Sequence, residues 1–498
     1  MKSPSRSLLA CAAMFSLGLP AWATEPFHFH HEDILGTSLD LQVAATDEKL
    51  AASAETAALG EIERLRKILS SYDPVSEISR LNTATAPMVC SPEVIDVLNA
   101  YDQWQAKSQG AYCGHIGELA ALWSKSEKGG TLPSPADLKP VLAALATPGW
   151  KIDSNTVTRL SAPRSLNVNS LGKGYIATKA AIAARKAVQG VSGLLVNIGG
   201  DIFASGKPTA GSSWEIGVAD PKHSADNAAP LTKVHLTDQS ISTSAAYERG
   251  YNIGGKHYSH ILDPRSGQPA EGVSSATVVA GNNAVSNALA TTLCVLKPEE
   301  GLALVKSTPG AECLIITADG RQLRSEKFAA MENPSPPAKA ATSTSGGWPD
   351  GYQVSIAIEL LQPAGGRKRP KRPFVAVWVE DSAGKRVRTV TVWGKERKYL
   401  PELKAWWKEA KADQPWAATV TRATRNAGQH RIEWDGKDDK GEPLPPGTYT
   451  IALEANREHG SYSLQKGTIV CGKTPEKGTI AAGTETGETQ LTYGPAAP

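Results

Sequence analysis

Methionine is nearly absent from this chain, 4 residues in 498; phenylalanine contributes 6, and all aromatic residues together make up 6%. Glycine and proline are plentiful at 45 and 33, a balance that favours strands and tight turns over a helical bundle. An excess of charge of either sign is also missing. Lys and Arg number 53 against 50 Asp and Glu, a formal net charge of +3, which argues against a protein that binds nucleic acid or a membrane surface over its whole face. No CxxC spacing occurs, so a zinc ribbon or a thioredoxin-type redox site is unsupported. There is no internal repeat, and no apolar run is long enough to cross a bilayer. With 41% apolar and 21% charged residues, wholesale disorder is excluded. At about 150 residues per domain, the length suggests three domains, or two of which one is large.

The first segment reads as an address. Lys2 and Arg6 give a positive start, Leu8 to Leu19 is a short apolar run, and Ala21-Trp22-Ala23 is a small-x-small cleavage site, so residues 1–23 form a signal peptide. Leu8-Leu-Ala-Cys11 resembles a lipoprotein box but abuts the charged region; simple cleavage after Ala23 and export to a periplasm are expected. Cys90, Cys113, Cys294, Cys313 and Cys471 then remain, an odd number that implies at least one free thiol or an intermolecular bond.

Two halves meet at a linker, Glu332 to Asp350, rich in Pro, Ser, Thr and Gly. In the first half, residues 24–331, Leu59, Ile62, Leu65 and Ile68-Leu69 recur at helical spacing, and Ser91-Pro92 caps a second helix. Leu194–Ile198, Ile216–Ala219, Ala276–Ala280 and Cys313–Thr317 read as buried strands. The fold class expected here is α+β. The second half, residues 351–498, carries short strands at Phe374–Val379 and Arg388–Trp393 with Gly/Asp turns, the texture of an all-β sandwich. Seven of the 12 tryptophans lie from Trp348 onward, six of them in this half, and are expected to pack its core. The basic run Gly365 to Pro373 reads as a solvated hairpin loop, with an anionic partner or a membrane surface as the functional alternative. His28, His30 and His31 with Glu32 read as a tail without a role.

Four motifs can carry chemistry. Asn167-Val-Asn-Ser-Leu-Gly-Lys-Gly-Tyr175 opens an alanine-rich helix, where glycines flanking a lysine can bring N–H groups and an ammonium to a phosphate; alone it is an ordinary turn. Val196-Asn-Ile-Gly-Gly-Asp-Ile202 ends a strand on paired glycines, either a bulge or hairpin, or a close backbone approach to a ligand with Asp201 at hand. Ile241 to Tyr247 is followed by His257 and by His260-Ile-Leu-Asp-Pro-Arg-Ser-Gly267. His260 could take a proton from a hydroxyl, with Asp263 orienting it or stabilising the turn. Asn287 and Thr291 are four apart on a predicted helix, so their oxygens share a face that can help bind a hard cation.

The order and spacing of these motifs resemble the FAD:protein FMN transferase (flavin transferase, ApbE) family over about residues 32–325. Leu35-Gly36-Thr37, Tyr72, Ser76-Glu-Ile-Ser-Arg-Leu-Asn82, and Gly110 to Leu119 with Trp123 match as well. The resemblance implies transfer of FMN from FAD to a threonine hydroxyl of an exported acceptor protein with release of AMP, helped by Mg²⁺ on the pyrophosphate. It implies FAD contacts from Leu35, Tyr72, Ala111, Tyr112, Cys113, Asn167 and Lys173. Ser170 (through its backbone oxygen), Asn287 and Thr291 would face the metal, and His260 would be the base. The family pattern has Asp where this chain carries Cys113, Asn167 and Asn287, and Thr where it carries His115, which implies weaker Mg²⁺ binding and leaves a catalytically weakened FAD-binding protein as the alternative. The second half resembles periplasmic domains attached to flavin transferases, and Trp434 to Tyr449 resembles immunoglobulin-like domains. Thr421-Arg-Ala-Thr424 approaches an acceptor motif, but Arg422 stands where a glycine permits close approach; a turn is expected there.

Overall fold

A computed structural model describes residues 25–160, 166–209, 211–223, 225–247, 249–334, 347–362, 371–394, 397–412, 420–458 and 460–496. The signal segment and most of the linker and basic run therefore lie outside the described residues. The first half is built on an eight-stranded sheet: β1 (Phe27–Ile34), β2 (Thr37–Ala44), β3 (Gly193–Ile198), β4 (Asp201–Gly206), β5 (Gln239–Ala245), β6 (Val273–Ala280), β7 (Glu312–Thr317) and β8 (Gln322–Arg324). These strands lie in the sheet in chain order, each antiparallel to the next. Long insertions fill the gaps with helices α1 (Glu48–Leu69), α2 (Glu77–Thr83), α3 (Pro92–Lys107), α4 (Gly117–Gly129), α5 (Pro135–Leu145), α6 (Asn169–Ala187), α7 (Asn283–Val295) and α8 (Pro298–Lys306).

Alternation along the strands divides the core into two layers. Leu39, Leu41, Val43, Leu194, Val196 and Ile198 face α1, α6 and α7, while Leu195, Ala204, Ile241 and Leu314 pack on the opposite side against a three-stranded sheet containing Trp214–Val218 and Thr232–Leu236. That small sheet is completed by Glu332–Pro334, so the start of the linker is a strand. The buried stripe of α1 runs Ala51, Ala54, Ala58, Ile62, Leu65, Leu69, which gives small residues where α6 lies close. Ser91 accepts from the Val94 N–H and Pro92 occupies the first turn of α3, as expected.

His28, His30 and His31 lie in β1, paired with β2, and not in a tail. The hydroxyls of Ser240, Ser242 and Ser244 on β5 line the face toward α7: Ser286 bonds both Ser240 and Ser242, and Thr291 lies 3.3 Å from Ser244. A polar seam thus runs beneath α7.

The second half has strands β9 (Tyr352–Leu360), β10 (Phe374–Glu380), β11 (Arg386–Trp393), β12 (Thr421–Arg422), β13 (Gly428–Trp434), β14 (Gly447–Asn456), β15 (Tyr462–Cys471), β16 (Glu476–Ile480) and β17 (Thr489–Pro495). They form a four-stranded sheet, β13-β9-β17-β16, and a five-stranded sheet, β12-β11-β10-β14-β15. Val354, Ile356, Ile358, Val377, Ile432, Trp434, Leu453 and Tyr493 from both sheets share one core, which makes this half a sandwich. Trp393, Trp406 and Trp434 are fully buried, so the tryptophans pack as expected. Helix α9 (Lys404–Ala410) covers the outer face of the five-stranded sheet, its first N–H groups bonded at 2.8 Å to the buried Glu454 carboxylate. The five described cysteines are all buried thiols.

Candidate functional site

The site is assembled where α2, α3, α6 and α7 meet the ends of β3–β5. Ser76 caps α2 by accepting from the Ser79 N–H at 3.0 Å, and Asn82 at its far end grips Leu166 twice, accepting from its N–H at 2.8 Å and donating to its carbonyl at 3.2 Å. That grip sets the approach of Asn167, whose Oδ1 accepts from the Asn169 N–H at 3.0 Å. Tyr72, exposed before α2, accepts from the Asn169 amide at 2.8 Å. Beneath them, Tyr101 donates to the Asn167 carbonyl at 3.0 Å, and the phenols of Tyr101 and Tyr112 lie 3.1 and 2.9 Å from the Ser170 hydroxyl. Burial pushes both phenols well above their ordinary range, so they remain neutral donors.

The two tyrosine rings stack at 5.6 Å, and a Cβ on Gly114 would lie 2.5 Å from the Tyr101 ring, which explains a glycine there. Ala111, Tyr112 and Cys113 are buried, so that stretch presents mainly backbone. The Cys113 thiol lies 3.5 Å from His115 Nδ1.

The Gly-Lys-Gly motif corrects the sequence reading. Gly172 and Gly174 lie inside α6, not in a loop cradling phosphate, and the Gly172 N–H is taken by the Val168 carbonyl at 2.6 Å. Gly174 instead permits helix packing: a Cβ there would lie 2.5 Å from Asn283 Cβ and 2.6 Å from Asn287 Nδ2. Ser170, one turn earlier, directs its carbonyl along the helix toward this contact.

Lys173 is the ammonium of the site. Its pKa is lowered by burial and by the nearby Arg249, against the opposing pull of Asp201. Asp201 opens β4 after the Gly199-Gly200 turn, both glycines at positive φ. The β4–β5 register sets its carboxyl beside Ser242. Burial pushes that carboxyl up to about 6, while Lys173 and hydrogen bonding from Ser242 and Asn287 draw it down. The Asn287 amide therefore faces Asp201, and its Oδ1 is buried with no hydrogen-bond partner.

A buried acceptor left unmatched is costly unless a ligand meets it. With the Thr291 hydroxyl one turn on and the Asp201 carboxylate beside it, the donor set consists of oxygens and fits a hard cation such as Mg²⁺. No group of three or more His, Cys, Asp or Glu that could hold a metal ion occurs among the described residues, so a cation here would rest on the amide and hydroxyl oxygens with the single carboxylate of Asp201.

His260 follows the hairpin formed by Gly250–Ile253 and Lys256–Ser259. Its backbone N–H and its Nδ1 both meet the Arg249 carbonyl, at 3.1 and 3.0 Å. A carbonyl only accepts, so Nδ1 carries the hydrogen and Nε2 keeps its lone pair. The side chain is open to solvent, yet the surrounding protein desolvates it and lowers its pKa below 6.5, and the charges of Arg249 and His257 act in the same direction. Arg249 is within electrostatic reach of both His260 and Lys173. Asp263 stabilises the turn and does not orient His260: it accepts from the Arg265 N–H and guanidinium at 2.9 Å. Trp123 Nε1 pins the end of that turn by donating to the Gly267 carbonyl at 2.8 Å.

Lys173, Asn287 and Thr291 are thus gathered around β4 and β5, Asn167, Ser170 and Tyr72 around the start of α6, and His260 beside Arg249. Leu35 lies in the β1–β2 turn at φ +52°, next to the Gly199 turn. Asp201 was read only as an available polar group, and Arg249 and Tyr101 were not singled out. The signal for Asp201 was the strand ending on Gly-Gly-Asp; its partner Asn287 is visible only in the fold. A cavity of about 660 Å³ opens between α3 and α6 beside Tyr175, Lys179 and Ile182. Lys173 is two residues from both Leu171 and Tyr175 and so points from the other side of α6. The charged residues that line that cavity, Asp96 and Lys179, pair with each other at 3.8 Å, and the candidate chemistry is placed at the first site.

Residues 35–315 match the model of the ApbE family, and residues 353–488 match that of a predicted periplasmic protein domain, DUF2271. A Treponema pallidum FAD:protein FMN transferase is 29% identical over 312 residues, 58% of this chain and 84% of the relative. The FAD:protein FMN transferase of Chlamydia muridarum is 32% identical over 243 residues, 46% of this chain and 72% of the relative. Among solved structures, the apbe protein of Thermotoga maritima superposes with a TM-score of 0.56 at 25% identity, covering 62% of this chain and all of its own.

Proposed function

This chain belongs to the ApbE family, and from that membership we propose that it acts as an FAD:protein FMN transferase, moving the FMN half of FAD to an acceptor protein and releasing AMP. The observation that carries the reading is the meeting of Lys173, Asp201 and Asn287, with Arg249 acting electrostatically on both Lys173 and the His260 imidazole, whose Nδ1 is held by the Arg249 carbonyl so that Nε2 can accept a proton. FAD is the substrate, its pyrophosphate lying against Lys173 and Arg249, with Leu35, Tyr72, Asn167 and the Ala111–Cys113 backbone along the rest of it. A threonine hydroxyl of the acceptor attacks the FMN phosphorus while His260 Nε2 takes its proton. The new O–P bond forms as the bond to the bridging oxygen breaks, and AMP leaves with that electron pair. Lys173 and Arg249 offset the charge that builds on the leaving phosphate. Mg²⁺, when bound, supplies further neutralisation of the pyrophosphate; Asn287 Oδ1, Thr291, Asp201 and the Ser170 carbonyl would hold it.

The match of the second half to a predicted periplasmic domain supports function in that compartment, and the Ala21-Trp22-Ala23 site supports export by a cleaved signal. The acceptor is then itself an exported protein carrying a threonine motif. Incubation of the full chain with FAD, Mg²⁺ and such an acceptor should give a fluorescent acceptor band on a denaturing gel. Saturable FAD binding without any covalent flavin would replace this reading with that of a flavin-binding relative, which the neutral Asn287 already makes the competing one.

A further inference from the structure

We propose that the sandwich domain clamps the β1–β2 turn of the transferase domain, and that Arg372 is a positioning residue for flavin binding. The inference rests on the reading that Leu35 in this turn lines the FAD site. Between His31 and Ile34 the β1–β2 register slips, leaving Glu32 and Asp33 in a bulge. Asp33, Leu35 and Gly36 all have positive φ, +61°, +52° and +77°. Two of the three carry side chains, so the conformation is unfavourable by itself and persists only where surrounding contacts impose it.

Those contacts come from two directions. From its own strand, His30 Nε2 meets the Glu32 carboxylate at 2.9 Å while His30 Nδ1 is held by Asp40 at 2.7 Å. From the sandwich, Arg372 reaches Glu32 at 3.3 Å and Asp33 at 3.5 Å, one guanidinium spanning both bulge carboxylates. The Thr424 N–H donates to Glu32 at 2.9 Å. Arg372 is itself fixed by Asn426, which accepts from its Nε at 2.8 Å.

The far side of the turn touches the site. A Cβ on Gly199 would lie 2.6 Å from Thr37 Oγ1, and the Gly199 N–H donates to the Ser38 carbonyl at 3.1 Å. The Gly199-Gly200 turn leads directly into Asp201. A shift of the β1–β2 turn therefore moves Leu35 and presses on the segment that presents Asp201.

A second contact between the halves provides the contrast. Asn227 donates to the Glu433 carbonyl at 2.7 Å and accepts from its N–H at 2.9 Å, and Asp226 pairs with Arg425 at 2.5 Å. These bonds dock the domains without touching the bulge.

The test uses the full chain, with FAD affinity read from flavin fluorescence quenching and the turn read from amide hydrogen exchange at residues 32–37. Arg372→Ala should raise the Kd and KM for FAD about five-fold or more while kcat changes less than about two-fold, as expected for a lost charge-assisted, two-pronged contact. Arg372→Lys should recover part of the affinity, since a point charge cannot span both carboxylates. Glu32→Gln should weaken FAD binding in the same direction from the other side of the contact. Asn227→Ala should leave the Kd within about two-fold of the parent, although it loosens docking. Exchange across the turn should quicken in Arg372→Ala and not in Asn227→Ala. Unchanged affinity in Arg372→Ala, or equal losses in Arg372→Ala and Asn227→Ala, would overturn the positioning role. If the parent protein shows no saturable FAD binding, the transferase reading fails; exchange then decides the clamp by itself, and identical turn exchange in parent and Arg372→Ala would reject it.

Discussion

Asn287 turns its amide to the Asp201 carboxylate and keeps its Oδ1 buried without a partner. The pair joins α7 to β4 across 86 positions of sequence and leaves one acceptor unmatched where a cation would complete the set. The arrangement makes Asn287→Asp informative. A second carboxylate beside Asp201 should repel it when no cation is present and attract a divalent cation more strongly. Mg²⁺ affinity by calorimetry should tighten about ten-fold, a gain of roughly 1.4 kcal/mol. The thermal midpoint should fall without metal and recover with it. A variant that binds Mg²⁺ no better than the parent would show that Asn287 is not a metal ligand.

His260 makes the pH dependence specific. Only the neutral imidazole accepts a proton, and burial together with Arg249 and His257 lowers its pKa below 6.5. The acid limb of kcat/KM for transfer should therefore lie below pH 6.5, with a plateau through neutrality. His260→Ala should lower kcat by about 10²–10⁴ and leave FAD affinity nearly unchanged. A limb centred well above pH 7 would assign the base to another group.

Much of this was legible in the sequence, for reasons of local physics. The buried strands at Leu194–Ile198 and Cys313–Thr317 are continuous apolar runs, and the Ser91-Pro92 start of α3 is a capping signal. What escaped was tertiary. The glycines beside Lys173 look like a phosphate loop by composition, yet the reason for Gly174 is the approach of α7 to α6, which involves residues more than 100 positions away. His30 and Glu32 look like a polar tail because their partners, Asp40 across a hairpin and Arg372 in another domain, leave no trace in the surrounding sequence. Asp201 carried a visible motif but gave no sign of sharing a site with Asn287.

His30 also gives a stability signature. Burial alone would lower its pKa, but its hydrogen bonds to the Asp40 and Glu32 carboxylates, and their charges, outweigh it and raise the group to about 9 from 6.5. Both carboxylates bond it directly, and Arg372 pairs with Glu32 from the other side. A pKa raised in the folded state stabilises fully below pH 6.5, and the contribution fades as pH rises through about 9. At full strength it is about 3 kcal/mol. Denaturant unfolding followed from pH 6 to pH 10 should show the parent losing stability across this window, and His30→Gln should be flatter. Parallel curves would mean that His30 is neutral in the folded protein.

Thr424 is the residue of this chain that most resembles a flavin acceptor, and its surroundings argue that it is not one. The residue is buried, 7% exposed. Its backbone N–H donates to Glu32, and its hydroxyl also faces that carboxylate. To accept FMN, the hydroxyl would have to reach a phosphorus in line with the departing AMP, with a base at its proton. Leaving this position would break the contact that joins the sandwich to the β1–β2 turn and strand a buried carboxylate. Arg422 adds bulk two residues before it, where close approach to the site requires a glycine. Intact-mass measurement after incubation with FAD and Mg²⁺ should therefore find no FMN-sized increment on this chain in the absence of an acceptor. An increment that disappears in Thr424→Ala would show instead that the sandwich undocks and presents its own threonine to the site.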